Sequence, residues 1–438
     1  MRRLAQIIAV VASLAMGEAL AAQNATAPSR TIAITGGRLL TVSHGTIENG
    51  VLLIADGKIA AVGAAGSVKI PKGAEVVNAK GMTVYPGLID PETNFGLTEI
   101  SADPATNDLE ERSDEIMPHM HVADAFHSET ALIPVARLNG ITNAVVAPAS
   151  GDSIAGQDIF IQLYGSRAEM MLGTDVALAM NYGAQQRRRG GPGGGESARP
   201  KYPSTRMGLI TELRQTFLDT QDYVAKKDAA AKKDNPFKRD LKFEALIPYL
   251  KGERPVVIGV YEAYDVETIM KLAQEFHLKV ILNHVTHSRE ILDEIAAYKV
   301  PVIVGSIYDA PRADERYDAV YTLPAELAKR GVEISISSAD ALGQVGSHSS
   351  RNLPYAAGMA VAYGLPYNDA LKAITLNVAE MFGFGDKLGS LDVGKMANVV
   401  LANGDPLDVR TDVKQVYIKG VAMSMVSRQT QLRDEYSK

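Results

Sequence analysis

The stretch that decides the fold runs from Gly81 to Asp90 and reads GMTVYPGLID. From Thr83 onward it is almost wholly apolar, as expected for a strand buried on both faces of a parallel sheet. Similar short apolar runs recur along the chain, several of them followed by residues of helical periodicity. These runs are Thr142 to Ala147, Val256 to Tyr261, Lys279 to Asn283, Val300 to Gly305 and Glu333 to Ser338. Such alternation predicts an α/β fold, either a (β/α)8 barrel or an open doubly wound sheet.

The barrel is favoured by the number of units and because no GxGxxG sequence opens a helix after a strand. Outward from this middle part, residues 31–83 and 393–425 are rich in β-branched residues and tight turns such as Asp56-Gly57. We expect these two end segments to build one small β-sandwich, and residues 84–392 to form the (β/α)8 barrel domain. Within the barrel domain, the Gly- and Arg-rich stretch 184–206 predicts a long loop.

The N-terminus has the pattern of an export signal. Arg2 and Arg3 precede an apolar run from Leu4 to Ala15. Small residues follow at Ala19 and Ala21, the two positions that a signal peptidase recognises before its cleavage site. The run is shorter than the roughly 20 residues needed to cross a bilayer. We therefore expect residues 1–21 to be a signal peptide on a periplasmic or secreted protein that has no stable membrane anchor.

Composition limits the chemistry. The 438-residue chain has no cysteine, which excludes disulfides, thiol nucleophiles and cysteine metal sites, so any metal must bind through histidine and carboxylate. Its net charge of −6 provides no basic surface of the kind that a phosphate backbone requires, so we expect no nucleic-acid partner. A small-molecule substrate is the simplest expectation.

Motifs near both ends of the middle part carry a family resemblance. The run from Gly81 to Asp90, after an Asp-Gly-Lys-Ile hairpin, resembles the entry to the barrel of the amidohydrolase superfamily. Three later segments resemble the family's last helices and its return to the sandwich, closest to the imidazolonepropionase-like branch: Asn352 to Met359, Ala370 to Asn377 and Leu388 to Val400. The resemblance implies a hydrolase of C–N bonds in amides, cyclic amides or peptides that uses metal-activated water. Large barrels of this kind often pair, so a homodimer is also expected.

The first metal-ligand pair of that family is altered in this chain. Family members end the first barrel strand in His-x-His, where two imidazoles on one side of the strand hold a metal. Here the corresponding positions are Glu92 and Asn94. Both offer oxygen, which shifts the expected metal from Zn²⁺ toward Mg²⁺, Mn²⁺ or Ca²⁺.

The resemblance assigns the remaining site positions residue by residue. His284 stands where the family has its sixth-strand histidine ligand, and His287 follows it closely enough to face the same mouth. Asp340 corresponds to the catalytic aspartate, which binds metal and acts as the general base toward the attacking water. Tyr261 falls where the family carries a fifth-strand histidine, and Gln162 aligns with a lysine that some members carboxylate.

A further histidine pair and two other interpretations stay open. His119 and His121 have the spacing of two ligands on one face of a strand, so they form a secondary candidate for a metal site. The altered ligands equally suit an inactive binding protein that keeps the barrel and holds no metal. Hydrolysis without metal, through Asp340 and a histidine, is a third interpretation.

Overall fold

The fold is known from a computed structural model. It describes residues 31–100, 102–111, 113–183, 202–305, 307–308, 310–339 and 347–437. The predicted export signal at 1–21, most of the loop at 184–206 and the predicted catalytic residue Asp340 lie outside these described residues.

Strands occupy both ends and the middle of the chain. In chain order they are β1 (Ile32–Leu40), β2 (Thr46–Ala55), β3 (Lys58–Ala64), β4 (Glu75–Asn78), β5 (Thr83–Pro86), β6 (Leu88–Thr93), β7 (Ile141–Val146), β8 (Ile154–Gln157), β9 (Ile159–Gln162), β10 (Met171–Gly173), β11 (Leu178–Asn181), β12 (Val256–Glu262), β13 (Val280–His287), β14 (Val302–Val304), β15 (Ile334–Ile336), β16 (Val399–Ala402), β17 (Val413–Ile418) and β18 (Val421–Ala422).

Helices alternate with the later strands. They are α1 (Val122–Ala125), α2 (Leu132–Arg137), α3 (Arg167–Met170), α4 (Arg206–Lys232), α5 (Leu241–Leu250), α6 (Ala263–Glu275), α7 (Leu292–Tyr298), α8 (Ala319–Lys329), α9 (Leu353–Ala362), α10 (Tyr367–Ala373), α11 (Leu376–Met381) and α12 (Arg428–Tyr436). Within the described part of the chain, none of them combines the length and apolar character needed to cross a bilayer.

Strands from both ends of the chain share one sheet, which we call the terminal sheet. Its order is β18-β17-β16-β5-β1-β2-β3, with β4 paired to β1. The contact between the two ends is the antiparallel pairing of β16 with β5. The sequence predicts that these end segments associate, and they do; the further expectation that they form a two-layered sandwich stays a prediction, as do the domain boundaries.

The middle strands form two further sheets. One has the order β10-β9-β7-β6 and the other β15-β14-β13-β12-β11-β8. The strands from β11 to β15 run parallel, as predicted. However, β9 is antiparallel to β7 and β8 is antiparallel to β11, so the nearly continuous β8–β9 segment runs against its neighbours. Apolar periodicity carries no information on strand direction, which is why the sequence did not predict this reversal.

The two middle sheets face a common interior. Ile89, Val145 and Phe160 of one sheet form a single buried cluster with Ile281 and Ile303 of the other. Residues of α11 and the segment after it belong to the same cluster, and the Phe384 ring stacks on Phe160 at 4.2 Å between centroids. The cluster therefore fills the space between the sheets below the ends of the parallel strands.

Asp90 on β6 connects the outermost strands of the two middle sheets. Its carboxylate accepts hydrogen bonds from the Ser338 hydroxyl at 2.5 Å, just after β15, and from the Ser350 hydroxyl at 2.7 Å. Burial raises the pKa of Asp90 to about 6, although these hydrogen bonds oppose the increase. This contact places the C-terminal ends of β6 and β15 side by side.

Candidate active site

A carboxylate and an imidazole meet where the parallel strands end. Glu92 lies at the end of β6 and His284 lies on β13, and Glu92 Oε1 is 3.5 Å from His284 Nε2. The His284 side chain is 1% exposed and that of Glu92 is 17% exposed. We call these two residues the Glu92–His284 pair. The pair brings together two of the residues that the family resemblance identified.

Irregular backbone turns His284 toward Glu92. His284 has φ +75° and Val285 has φ +45°, both in the left-handed region that a β-strand does not normally use. The pairing register of β12 and β13 also shifts between Val260 and Glu262. Backbone strain of this kind persists only where the surrounding structure enforces it, and it is common at functional sites.

Two neighbours hold the imidazole in place. The Tyr261 ring stacks on it with centroids 4.9 Å apart and planes 14° apart. Gly305 lies next to Nδ1 of the ring, where a Cβ would stand 2.0 Å from this nitrogen. Glycine is therefore required at position 305 for the ring to occupy this place. Tyr261, which aligns with the family's fifth-strand histidine, thus stacks on the His284 ring, and its role as a metal ligand stays a prediction.

The charge of Glu92 is stabilised by its surroundings. Burial alone would raise the pKa of this carboxylate, but the neighbouring His284 charge and hydrogen-bond donors on Asn283 and Ser337 outweigh it. The pKa of Glu92 is consequently lower than usual, and the side chain is an anion at neutral pH.

Several buried polar atoms around the pair lack hydrogen-bond partners among the described residues. Both ring nitrogens of His284 are in this state, as are Asn283 Oδ1, Asp158 Oδ1 and Ser335 Oγ. Native proteins leave few such atoms unsatisfied, because each one costs about 1–3 kcal/mol. A concentration of them in one interior is typical of a site that receives water, an ion or a substrate.

Asp158 is a functional candidate that the sequence analysis missed. It lies between β8 and β9 and is 1% exposed. Burial, reinforced by the charge of Glu92, raises its pKa well above the ordinary value, which favours the protonated form of the carboxyl. Its one sequence signal was an acidic residue inside the largely apolar run from Ile154 to Leu163.

The pair has the donor chemistry of a divalent-cation site. A ligating histidine must be neutral with a free nitrogen, and a carboxylate supplies the negative charge. However, no group of three or more His, Cys, Asp or Glu side chains is placed to hold a metal in the described ranges, from which Asp340 is missing. Glu92 and His284 therefore have donor atoms of the type that binds a divalent ion. They supply two of the three protein ligands that catalytic zinc sites usually have.

Asn94 and Gln162 are held in hydrogen bonds to backbone carbonyls. The Asn94 amide group donates to the Ala147 carbonyl at 2.8 Å. Gln162 donates to the Tyr164 and Glu169 carbonyls, each at 2.9 Å. Gln162 also pairs with Asn143 near the start of β7, so it lies at the opposite end of the strands from the pair.

His287 takes part in a neighbouring ion-pair cluster. Its Nδ1 lies 3.0 Å from both carboxylate oxygens of Glu315, which also accepts the Arg312 backbone N–H at 2.9 Å. Arg312 in turn forms an ion pair with Glu262, the last residue of β12. These contacts attach the segment after β14 to the ends of β12 and β13.

His119 and His121 line a separate cavity of about 450 Å³, together with Asp108, Glu110 and Glu111. His121 Nδ1 is 2.7 Å from Asp175 Oδ1. Burial lowers the pKa of His119, which favours its neutral form. Neither histidine contacts the Glu92–His284 pair, and their role as metal ligands stays a prediction.

Comparisons with known proteins agree on one family. The sequence profile of the Amidohydrolase family matches residues 259–423. Amidohydrolase tasK of Hapsidospora irregularis is 24% identical over 402 residues, which are 86% of this chain and 39% of that protein. An imidazolonepropionase of Syntrophobacter fumaroxidans is 39% identical over 79 residues, 18% of this chain and 19% of that protein. The matches thus span well under half the length of either relative.

A solved structure matches over nearly the whole fold. The amidohydrolase of Thermotoga maritima MSB8 has a TM-score of 0.81 and 27% identity, covering 90% of this chain and 99% of that one. The fold and the site thus define a TIM-barrel-like α/β protein with a carboxylate and an imidazole at its strand ends. These matches support membership of the chain in the amidohydrolase superfamily.

Proposed function

We propose that this chain is an exported hydrolase that cleaves C–N bonds in small amides, cyclic amides or peptides at the Glu92–His284 pair. One observation carries the proposal: a partly buried carboxylate and a buried imidazole converge at the C-terminal ends of the parallel strands, amid unsatisfied polar atoms. Active sites of TIM-barrel enzymes lie at that end of the strands.

Each residue has a defined role in this proposal. Glu92 and His284 would hold a divalent ion. When bound, such an ion lowers the pKa of a water molecule, so that the water can lose a proton and attack a carbonyl near neutral pH. Tyr261 and Gly305 fix the His284 ring, so that its nitrogen stays aimed at the site. Asp340 would accept the proton of the attacking water and return it to the leaving amine, as the family resemblance implies.

The proposed function also requires that the two middle sheets join into a closed barrel. We infer that the two middle sheets close into one barrel between β6 and β15. It has eight strands when the β8–β9 segment counts as one strand and β10 is left outside. Its support is the Asp90–Ser338 hydrogen bond and the cluster of side chains that both sheets share. The apolar run after Arg2 and Arg3 supports export to the periplasm or the medium.

One observation favours a second candidate, an inactive binding protein. The amide groups of Asn94 and Gln162, which stand at positions of family ligands, donate to backbone carbonyls. The decisive experiment therefore measures metal content and amine release together, on the purified mature chain with a panel of small amides and dipeptides. Stoichiometric metal with turnover supports the hydrolase; a chain that takes up neither Zn²⁺ nor Mn²⁺ and releases no amine is a binding protein.

Variants make the test specific to the pair. His284→Asn is well matched, because asparagine tolerates the left-handed backbone at this position, and Glu92→Gln keeps the shape of the side chain. Both are expected to lower kcat/KM by at least about 100-fold with an unchanged circular dichroism spectrum. His127→Asn, at a histidine with a 70% exposed side chain, is the control and should keep full activity. Undiminished turnover in both site variants would overturn the proposal.

A further inference from the structure

Arg137 is an arginine without a carboxylate partner among the described residues. It is the last residue of α2, and its Nη1 donates to the Leu163 carbonyl at 3.1 Å and approaches Met423 Sδ at 3.7 Å. Its Nε is shielded from solvent and has no hydrogen-bond partner in the described part of the chain. Burial also lowers the pKa of the guanidinium.

The guanidinium thus has a charge with few partners among the described residues. A guanidinium stays charged at every physiological pH, so it cannot avoid the cost of partial burial by losing its proton. The Arg137 side chain is half-buried, so part of the group is still accessible from outside. An anion that reaches this accessible part would pair with the charge.

Arg137 borders a cavity large enough for such an anion. The cavity holds about 430 Å³, which is within the range of small-molecule sites. Its wall combines the hydroxyls of Ser128, Thr130 and Ser166 with apolar side chains, among them Ile133 and Met170. We call it the Arg137 pocket.

The Arg137 pocket is separate from the Glu92–His284 pair. Leu163, which lines the pocket, bonds through its N–H to the Thr142 carbonyl near the start of β7. Thr93, beside Glu92, lies against Val146 at the end of β7. The two sites therefore occupy opposite ends of the same strands.

Charge and shape indicate the kind of anion. A guanidinium matches a carboxylate in two parallel hydrogen bonds. The Ser128 and Ser166 hydroxyls donate to Glu129 and Glu169, whereas the Thr130 hydroxyl accepts the Leu132 N–H and can donate its own proton to a bound carboxylate. Glu129 and Glu169 also line the pocket and would repel an anion with two or more charges. The apolar wall suits a short hydrocarbon body.

We propose that the Arg137 pocket binds a small organic monocarboxylate with an apolar body. The test is calorimetric titration of the full mature chain with 4-methylpentanoate, with 4-methylpentan-1-amine as the matched amine and with inorganic phosphate. Saturable binding of the carboxylate, with neither the amine nor phosphate bound, is the expected result. Binding of the amine or phosphate in its place, or no binding at all, would overturn the proposal.

Variants locate the site. Arg137→Lys keeps the charge but loses the planar fork, and we expect at least about tenfold weaker binding. Arg137 also donates a hydrogen bond to the Leu163 carbonyl, so its replacement could disturb the local structure. Ser128→Phe is therefore the second variant, because it fills the cavity and leaves Arg137 intact. Arg433→Met on exposed α12 is the control and should bind normally. Unchanged binding in both pocket variants would place the carboxylate elsewhere and refute the assignment.

Discussion

Replacement of Gly305 by alanine should disable the Glu92–His284 pair without removing either member of it. The new Cβ would lie 2.0 Å from His284 Nδ1 and 2.9 Å from Cε1, whereas ordinary contact begins near 3.4 Å. The imidazole must therefore withdraw by about 1.4 Å, away from its stacked position on Tyr261. Overpacking of this kind costs about 1–3 kcal/mol of folding free energy. A displacement of about 1 Å in a catalytic group can cost 100-fold in rate.

The assay for Gly305→Ala compares kcat/KM for amide hydrolysis with the free energy of unfolding. The control is Gly331→Ala on an exposed turn, where φ is +76° and no atom lies within 4 Å of the added Cβ. That control should lose about 1–2 kcal/mol of stability through backbone strain alone and keep its activity. If Gly305→Ala loses no more activity than Gly331→Ala, the ring position has no bearing on catalysis and the reasoning is refuted.

Two further predictions concern stability. Burial and four nearby carboxylates raise the pKa of Asp152 from 3.8 to about 7. Between these pH values the folded state holds a proton that the unfolded state releases. The free energy of unfolding therefore falls as the pH rises from about 4 to 7. Asp152→Asn should remove this slope and gain roughly 2–4 kcal/mol at pH 8 in urea unfolding, with little gain at pH 4; equal slopes in both proteins would contradict the assignment. Arg206 pairs with the buried Asp265 through bonds of 2.6 and 3.0 Å. Arg206→Met should cost about 3–5 kcal/mol in guanidinium unfolding, and adding Asp265→Asn should recover part of it; a loss below 1 kcal/mol would show that the pair is not effectively buried.

The sequence predicted most of the architecture because apolar runs and turn residues report burial directly. It did not predict where the first of these runs divides. Thr83 to Asp90 was expected to be one barrel strand, yet β5 ends at Pro86 in the terminal sheet and β6 begins at Leu88. At Gly87 between them, a Cβ would lie 2.0 Å from the Thr142 hydroxyl. Both halves are fully buried, so apolar character cannot distinguish the two sheets.

The candidate site could be predicted only in part. Motif resemblance placed Glu92 and His284 in one site, since each follows a strand run that the family shares. The positive φ of His284 and the close approach of Gly305 depend on packing between strands that are distant in sequence. Asp158 was missed because the antiparallel β8–β9 segment was not expected, and it is this segment that carries the carboxyl into the interior.

The central claim, that Glu92 and His284 together form a hydrolytic metal site, can be tested by anomalous scattering. Crystals of the mature chain would be grown with Mn²⁺ or Zn²⁺ and measured at the absorption edge of the metal. One strong peak is expected about 2.0–2.3 Å from both His284 Nε2 and a Glu92 carboxylate oxygen, and it should be absent in His284→Asn crystals. A metal peak elsewhere, or none beside a well-ordered Glu92–His284 pair at saturating metal, would contradict it.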